Sequence, residues 1–441
     1  MLIRFVIKNY RSIGQEVEFN MLPTPYKKVH PGHIINESKI RALKPAVIYG
    51  ANGAGKSNLL IALKFLQEIV TGEETIPDST TFEENRLRTE LRNDPIHFEV
   101  EYGFRNHYYA YSIDFKNGVV LCEQLYELGF VKEDILIFER KHNTESNKIE
   151  ITPGKGYFDA KGKSVLSLLQ DNFLTPKMPL LHMSRVLKND FISTAYDWFE
   201  EGLEIIFPST KYAPLVSSLT DTEFRSFANR ILRSYDTGIE QLSVEQTPLE
   251  AFGFNPDLIQ DLKSHLQEKP GINIIVDDTD GTTVTEADGS AIVLKPKSGH
   301  TDSGGNNVIF DLPEESDGSQ RLVQYIPIFK QLFAEDTVVF VDEIERSIHP
   351  SLLKGLINKL LSQGEDIIGQ FIFTTHECNL LDLKIFRQDE IWFVQKEDNQ
   401  TSLYPLSDFD IRQDLDIEKG YLQGRFGAIP FLGNMKDLKW R

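Results

Sequence analysis

One short segment of the sequence carries glycines, a lysine and a serine at a spacing that suits phosphate binding. It is Gly50-Ala51-Asn52-Gly53-Ala54-Gly55-Lys56-Ser57, which has the form GxxxxGK[ST]. Backbone N–H groups of such a turn surround an oxyanion, and the positive end of the following helix adds attraction. We expect Lys56 to reach the β- and γ-phosphates of ATP and the Ser57 hydroxyl to bind Mg²⁺. The predicted nucleotide-binding residues here are Asn52, Gly53, Ala54, Gly55, Lys56, Ser57 and Asn58.

Both flanks of this segment favour a phosphate loop over an incidental glycine-rich turn. The apolar run Ala46–Tyr49 predicts a buried strand before the loop, and the amphipathic segment Asn58–Ile69 predicts a helix after it. This strand–loop–helix order is the context in which the motif binds nucleotide. The sequence therefore predicts a nucleoside triphosphate site.

A second candidate group lies far along the chain, where an apolar strand ends in two acids. Thr337–Val341 is followed by Asp342 and Glu343. We expect Asp342 to hold Mg²⁺ through water and Glu343 to polarise the attacking water. Many strands end in acids, so this interpretation depends on the motifs around it.

A serine and a glycine precede the predicted helix Arg321–Phe333, in the segment Ser316-Asp317-Gly318-Ser319-Gln320. A helix N-terminus with these residues is a second anion-binding position, with Ser316 and Gly318 as its candidates. The alternative for Ser316 is a simple helix N-cap, because the segment differs from LSGGQ, the usual form of the signature motif in ATPases of this kind.

Two further motifs follow the acids. Glu345–Pro350 predicts a turn into the helix Pro350–Leu361, whose first position suits proline. Gln370–Thr375 predicts a buried strand that ends at His376, for which a hydrogen-bonded histidine at a strand end is the alternative. His349, at a helix start, is interpreted as structural.

The order of these motifs resembles that of the ABC-type ATPases. The resemblance implies that Ser316 of one subunit faces the γ-phosphate bound by another, across a head-to-tail dimer or a larger homo-oligomer. It also implies that His376 contacts the γ-phosphate within its own subunit. The segment Pro95–Glu99 stands where a Q-loop is expected, but it lacks the glutamine.

Several elements must position these residues. Two strands with period-2 alternation, Leu2–Lys8 and Glu16–Met21, open the chain, and a β-meander with a turn at Lys116-Asn117-Gly118 follows the loop helix. The later segments read as helices at 191–207, after the capping box at 220–223, and at 256–267. Short strands at 272–276 and 291–294 and a flexible link at 298–307 complete this part.

Composition limits the kind of protein. The chain has 441 residues, a net charge of −19, two cysteines and no apolar run of membrane-spanning length. Two cysteines exclude a disulfide framework, so we expect a cytoplasmic protein without membrane contact. The negative charge argues against a strong general affinity for DNA, so direct DNA binding is expected to be weak or indirect.

The same motifs, taken with both ends of the chain, resemble a narrower group, the prokaryotic ABC-like AAA-type ATPases that include RloA, AbiLi and the AriA ATPase of the PARIS system. The OLD nucleases and the RecF-like ATPases are more distant. The segments that carry the resemblance are Phe5–Ile13, Gly55–Asn58, Glu315–Gly318, Val341–Pro350, Thr374–His376 with Asn379–Asp382, and Tyr421–Pro430.

This resemblance implies an α/β fold, an ABC-ATPase-like head with a mixed sheet around the phosphate loop and an antiparallel β lobe, carrying a mainly helical insert. The expected parts are residues 1–163 and 299–441 for the two halves of the head and 164–298 for the insert with a small β-hairpin. The resemblance also places Arg11 and Ser12 near the nucleotide phosphates.

The resemblance implies an ATPase of anti-phage defence that controls a separate effector, a nuclease or another toxic protein, with a phage-encoded trigger as a further candidate partner. A RecF-like DNA repair ATPase that acts directly on DNA is the alternative. A transporter subunit is a third hypothesis, disfavoured by the missing Q-loop and the insert. The negative charge and the absence of a long coiled-coil arm favour the first hypothesis over the second.

Overall fold

The structure is a computed structural model that describes residues 1–24, 29–37, 39–80, 83–143, 146–210, 214–235, 237–269, 271–277, 281–287, 289–411 and 416–429. Part of the predicted tail motif, Pro430, lies outside these residues. In the described part of the chain, no helix is both long enough and apolar enough to span a bilayer.

Twenty strands lie in the described ranges. They are β1 (Leu2–Lys8), β2 (Val17–Asn20), β3 (Ile34–Asn36), β4 (Arg41–Leu43), β5 (Pro45–Gly50), β6 (Ile96–Phe104), β7 (His107–Lys116), β8 (Val119–Glu127), β9 (Ile135–Asn143), β10 (Lys148–Pro153), β11 (Leu203–Ile206), β12 (Gln241–Pro248), β13 (Ile274–Asp277), β14 (Thr282–Ala287), β15 (Ser290–Thr301), β16 (Asn307–Asp311), β17 (Val338–Val341), β18 (Gln370–Thr375), β19 (Ile391–Glu397) and β20 (Gln400–Pro405).

Ten α-helices lie in the same ranges. They are α1 (Lys56–Thr71), α2 (Ala160–Asn172), α3 (Ser184–Leu187), α4 (Asp190–Glu201), α5 (Pro214–Ser218), α6 (Thr222–Ser234), α7 (Pro256–Glu268), α8 (Asp317–Ala334), α9 (Pro350–Leu361) and α10 (Ile417–Leu422).

The chain divides into two compact units. Unit 1 comprises residues 1–207, 334–344 and 358–441, and unit 2 comprises 208–333 and 345–357. The three parts expected from the sequence remain a prediction about domains, and these units divide the chain elsewhere. The segment 164–207 lies in unit 1 because α4 packs against α1 and β11 joins a sheet of that unit.

A six-stranded sheet with the order β11-β17-β18-β5-β19-β20 forms the centre of unit 1. Its first five strands are parallel, and β20 returns antiparallel to β19. The strands β5, β17 and β18 are buried at every residue, which explains why each contains a run of consecutive apolar residues rather than an alternating pattern.

A second, antiparallel sheet of unit 1 has the order β10-β9-β8-β7-β6-β1-β2. Its strands alternate between buried and partly exposed residues, as in β6, where Phe98, Val100 and Tyr102 face the core. One continuous core joins both sheets and α1. Phe65 of α1 packs on Phe115 of β7, with ring centroids 5.7 Å apart.

These two sheets confirm the predicted α/β fold, with a mixed sheet around the phosphate loop and an antiparallel β lobe. The predicted turn at Asn117 and Gly118 is also present, since both residues have the positive φ angles, 46° and 74°, that a tight hairpin needs. The helix predicted at Pro350–Leu361 has those bounds as α9.

Unit 2 contains more β-structure than a short hairpin. Besides α5–α8 it holds a five-stranded sheet in which β12, β15, β14 and β13 follow one another and β16 pairs with β15. The prediction of a flexible link at 298–307 is wrong, because 298–301 end β15 and Asn307 begins β16. These residues are polar or glycine and pair as a hairpin, so their composition resembled that of a loop.

The prediction that one helical pattern continues to Phe207 is also wrong. The helix α4 ends at Glu201, and Leu203–Ile206 form β11, which is parallel to β17. Gly202 separates the two elements, and the four residues of β11 are too few for periodicity to distinguish a strand from a helix.

Candidate functional site

Three neighbouring parallel strands bring the candidate motifs to one edge of the central sheet. Thr375 pairs with Tyr49, and Phe373 pairs with Val341. Parallel strands in register end at the same edge, so the segments that follow β5, β17 and β18 leave the sheet together. These segments are the phosphate loop, the pair Asp342-Glu343 and His376.

The phosphate loop has the backbone that its glycines predict. Gly53 and Gly55 have φ angles of 79° and 111°, in the left-handed region, and Gly55 caps α1. A side chain at Gly50 would place a Cβ 2.4 Å from the Val394 carbonyl oxygen. The loop is therefore fixed on both sides of its bend, by conformation at residues 53–55 and by packing at Gly50.

Lys56 begins α1 and is 7% exposed. Its Nζ donates to the Gly50 carbonyl oxygen at 2.6 Å and lies 3.4 Å from that of Ala51. The ammonium group thus lies against the start of the loop, and its contact with the phosphates stays a prediction. Ser57 and Asn58 are half-buried, and Asn52 and Gly53 are exposed.

The acidic pair at the end of β17 is held by a threonine of β18. Asp342 is buried, and its Oδ1 accepts a hydrogen bond from Thr374 Oγ1 at 2.6 Å. The same hydroxyl oxygen accepts the backbone N–H of Glu343 at 2.8 Å. Glu343 has a φ of 49°, an uncommon conformation for a non-glycine residue, and its side chain is half-buried.

His376 follows β18 directly and its side chain is exposed. Its carbonyl oxygen lies 3.6 Å from Cys378 Sγ, and the next peptide is fixed because Glu377 N–H donates to Thr375 Oγ1 at 3.0 Å. The histidine therefore stands at the same sheet edge as the acids, and its contact with a γ-phosphate stays a prediction.

Ser316 and Gly318 belong to unit 2, at the start of α8. Ser316 Oγ accepts the Ser319 N–H at 3.2 Å, which is an N-cap contact, and Ser316 is exposed. A side chain at Gly318 would place a Cβ 2.4 Å from the Ser347 carbonyl oxygen. The N-cap interpretation of Ser316 thus describes its geometry here, while its role toward a nucleotide stays a prediction.

Arg11 lies in the turn after β1 with a left-handed φ of 49°. Its guanidinium carbon is 5.6 Å from the ring centroid of Tyr10, and burial raises the pKa of Tyr10 to about 12 despite this cation. Arg11 itself is exposed. Its neighbour Ser12 accepts a hydrogen bond from the Asn58 side chain at 2.6 Å, which ties the turn to the phosphate loop.

Sequence reasoning missed two threonines at this site. Thr374 stands in a quoted motif but received no role, and Thr401 of β20 had no signal at all. Thr401 Oγ1 lies 2.8 Å from the Ala54 carbonyl oxygen and 2.7 Å from Ser12 Oγ. A threonine in a strand is common, so only the packing of β20 beside the loop could show this contact.

A glycine-rich loop between a buried parallel strand and a helix is the arrangement of the P-loop proteins. Residues 46–382 match the family model described as "AAA domain, putative AbiEii toxin, Type IV TA system". The chain belongs to this family. A comparison with curated proteins gives no match.

Two solved structures illustrate what this chain is similar to. The SMC head domain from Thermotoga maritima is 13% identical, with 93% of this chain and 99% of that one covered, at a TM-score of 0.39. An Smc head domain with an extended coiled coil, bound to the C-terminal domain of ScpA and derived from Pyrococcus furiosus, is 13% identical, with 96% and 98% covered, at 0.38.

We predict that Thr374→Val lowers the free energy of unfolding of unit 1 by about 1–3 kcal/mol, because it leaves the buried Asp342 carboxylate and the Glu343 N–H without their shared hydroxyl. Chemical denaturation followed by tryptophan fluorescence measures this, since Trp198 and Trp392 are buried in unit 1. Thr374→Ser keeps the hydroxyl and serves as the control. A valine variant as stable as the wild type contradicts the prediction.

Proposed function

We propose that this protein is an ATPase that binds and hydrolyses ATP at sites shared between subunits, and that it regulates a separate effector in anti-phage defence. The observation that carries the ATPase proposal is the convergence of three motifs at one sheet edge. The phosphate loop, the pair Asp342-Glu343 and His376 follow three adjacent parallel strands. Phosphoryl transfer requires positioning and charge stabilisation, and this edge offers both.

In this proposal the loop N–H groups and Lys56 hold the phosphates. Ser57 and Asp342 hold Mg²⁺, a hard cation that prefers such hydroxyl and carboxylate oxygens. Their placement fits the ion, since Ser57 lies in the first turn of α1 and Asp342 is a buried carboxylate at the same sheet edge. When bound, Mg²⁺ neutralises charge that develops on the phosphate oxygens.

Glu343 and His376 take the remaining roles. The Glu343 carboxylate orients and polarises the attacking water, and the left-handed backbone held by Thr374 sets the direction in which this side chain leaves the strand. His376 contacts the γ-phosphate from the neighbouring strand end. Both assignments rest on the motif order and on the common sheet edge.

A second subunit completes the site in this proposal. Ser316 is exposed at the N-terminus of α8, a helix of 18 residues, where its hydroxyl and the positive end of the helix suit an anion. The close approach of Gly318 to Ser347 fixes this segment against the turn after Asp342-Glu343, within unit 2. Ser316 is therefore available to the nucleotide of a partner copy.

The biological role rests on the family and on charge. The family description names a putative toxin and a type IV toxin–antitoxin system, and the resemblance to RloA, AbiLi and PARIS AriA points to anti-phage defence. A net charge of −19 disfavours direct action on DNA. We therefore assign the toxic or nuclease activity to a separate protein whose state this ATPase controls.

We predict that two substitutions in the site separate ATP binding from ATP hydrolysis. Lys56→Ala raises the Kd for a labelled ATP analogue by about two orders of magnitude, because it removes a charged hydrogen-bond donor to the phosphates. Glu343→Gln keeps ATP bound but lowers phosphate release by about 10²–10⁴-fold, since the amide cannot act as a base.

Lys64→Ala is the matched control for these variants, because Lys64 lies on the same helix and pairs with Glu68 at 3.6 Å on its surface. Unchanged ATP affinity in folded Lys56→Ala contradicts the assignment of the loop. Phosphate release at the wild-type rate in Glu343→Gln means that another residue activates water.

We predict that mixing Lys56→Ala subunits with Ser316→Arg subunits restores part of the ATPase activity that each variant lacks. In the mixed assembly one of the two shared sites has an intact loop from one subunit and an intact serine from the other. Steady-state phosphate release measures the recovery. A mixture as inactive as its two components argues against shared sites.

We predict that the full chain co-purifies with a protein encoded beside it, and that the purified chain alone neither cuts DNA nor binds it tightly at physiological salt. The candidate contact regions are the segment 164–267 and the tail after Asp408, of which 412–415 and 430–441 lie outside the described residues. Pull-down from cells that express the native operon, with and without phage, tests this. Sub-micromolar DNA binding without a partner supports the DNA repair alternative instead.

A further inference from the structure

We propose that Thr401 is a positioning residue of the nucleotide site, which anchors the Ala54 carbonyl group and thereby sets the affinity of the phosphate loop for a triphosphate. This inference rests on the proposed function and adds a residue to it. Thr401 lies in β20, outside the segment 46–382 that matches the family model. It touches the loop through its side chain rather than through the nucleotide.

The contact is the end of a hydrogen-bond chain. Asn58 Nδ2 lies 2.6 Å from Ser12 Oγ, Ser12 Oγ lies 2.7 Å from Thr401 Oγ1, and Thr401 Oγ1 lies 2.8 Å from the Ala54 carbonyl oxygen. The amide can only donate to Ser12 through its nitrogen, and the carbonyl can only accept. Because each hydroxyl has one proton, Ser12 donates to Thr401, and Thr401 donates to Ala54.

This series of hydrogen bonds fixes the orientation of one peptide group of the loop. In a planar trans peptide the carbonyl oxygen and the following N–H point in opposite directions. Since Thr401 holds the Ala54 oxygen on the β20 side, the Gly55 N–H must point away from β20. The proposed function places the phosphate on the side of the loop N–H groups, so in this proposal Thr401 presets one of the donors that surround it.

The surroundings of Thr401 leave this arrangement little freedom. Thr401 is 4% exposed, and its backbone N–H donates to the Ser12 carbonyl oxygen at 2.7 Å. A Cβ at Gly55 would lie 2.2 Å from Thr401 Oγ1 and 2.7 Å from Ser12 Oγ. The absence of a side chain at Gly55 therefore serves the threonine contact as well as the positive φ.

The strand that carries Thr401 is tied to the strand that begins the loop. Thr401 pairs with Lys396 of β19, and Val394 of β19 pairs with Gly50 of β5. The β19–β20 hairpin thus holds the hydroxyl in a fixed place relative to the bend of the loop. A rigid second element of this kind lets the loop bind phosphate without first ordering itself, which favours affinity.

The test compares Thr401→Val with Thr401→Ser by equilibrium binding of a fluorescent, non-hydrolysable ATP analogue and by steady-state ATP hydrolysis. Valine has the shape of threonine without the hydroxyl, and serine keeps the hydroxyl. We expect valine to raise the Kd and the KM for ATP by about tenfold, the effect of one lost hydrogen bond. The kcat at saturating ATP changes by less than about twofold, because the acids of the site are untouched.

A loss of general stability does not produce this split of KM from kcat, nor its rescue by serine. Ser402→Ala, on the next residue of β20, is the matched control and should bind like the wild type. Hydrogen exchange provides a second measurement, in which residues 51–57 of the ATP-free Thr401→Val protein exchange faster than those of the wild type. If the valine variant does not fold, Ser12→Ala takes its place, since it removes the donor to Thr401, and the same direction of change is expected.

The outcomes separate the two proposals. If the wild type and Lys56→Ala both fail to bind ATP, the proposed function is wrong. If the wild type binds ATP and Thr401→Val binds it equally well, with unchanged exchange of residues 51–57, the role of Thr401 is overturned. A fall in kcat at constant KM also overturns it, because it places the effect on the chemical step.

Discussion

The parallel alignment of β5, β17 and β18 is the constraint on which the site depends. Each strand is buried on both faces, so packing on both faces and hydrogen bonds to the neighbouring strands fix its position. Because parallel strands end at one edge, the loop, the acids and the histidine come together although long segments of chain separate them. Any shift in register would move all three groups relative to one another.

Two threonines convert this alignment into a defined local geometry. Thr374 donates a hydrogen bond to the buried Asp342 carboxylate and accepts one from the Glu343 N–H, whose backbone is left-handed. Thr401 holds a carbonyl group of the phosphate loop. A buried charge without such partners is costly, and so is a strained backbone. Neutral hydroxyl groups stabilise both features without adding charge to the proposed nucleotide site.

Local patterns explain which elements could be predicted. The loop helix, α9 and the meander turn at Asn117-Gly118 have amphipathic periodicity or turn chemistry within a few residues, and the structure has them. The segment Leu203–Ile206 followed a helix without a visible break, and 298–307 had the composition of a loop. Leu203–Ile206 form a strand because they pair with β17, and residues 298–301 form the end of β15 because they pair with β16.

The phosphate loop could be predicted from the sequence alone, since Gly53, Gly55 and Lys56 lie within one turn, and Asp342, Glu343 and His376 could be named as candidates. That these residues share one sheet edge, that Ser316 lies in the other compact unit and that Thr401 contacts Ala54 follow from the tertiary structure. The physical reason is the sequence separation of the interacting residues, because backbone conformation and helix capping depend on near neighbours. Contacts between Ser12, Asn58 and Thr401 depend on strand pairing between distant parts of the chain.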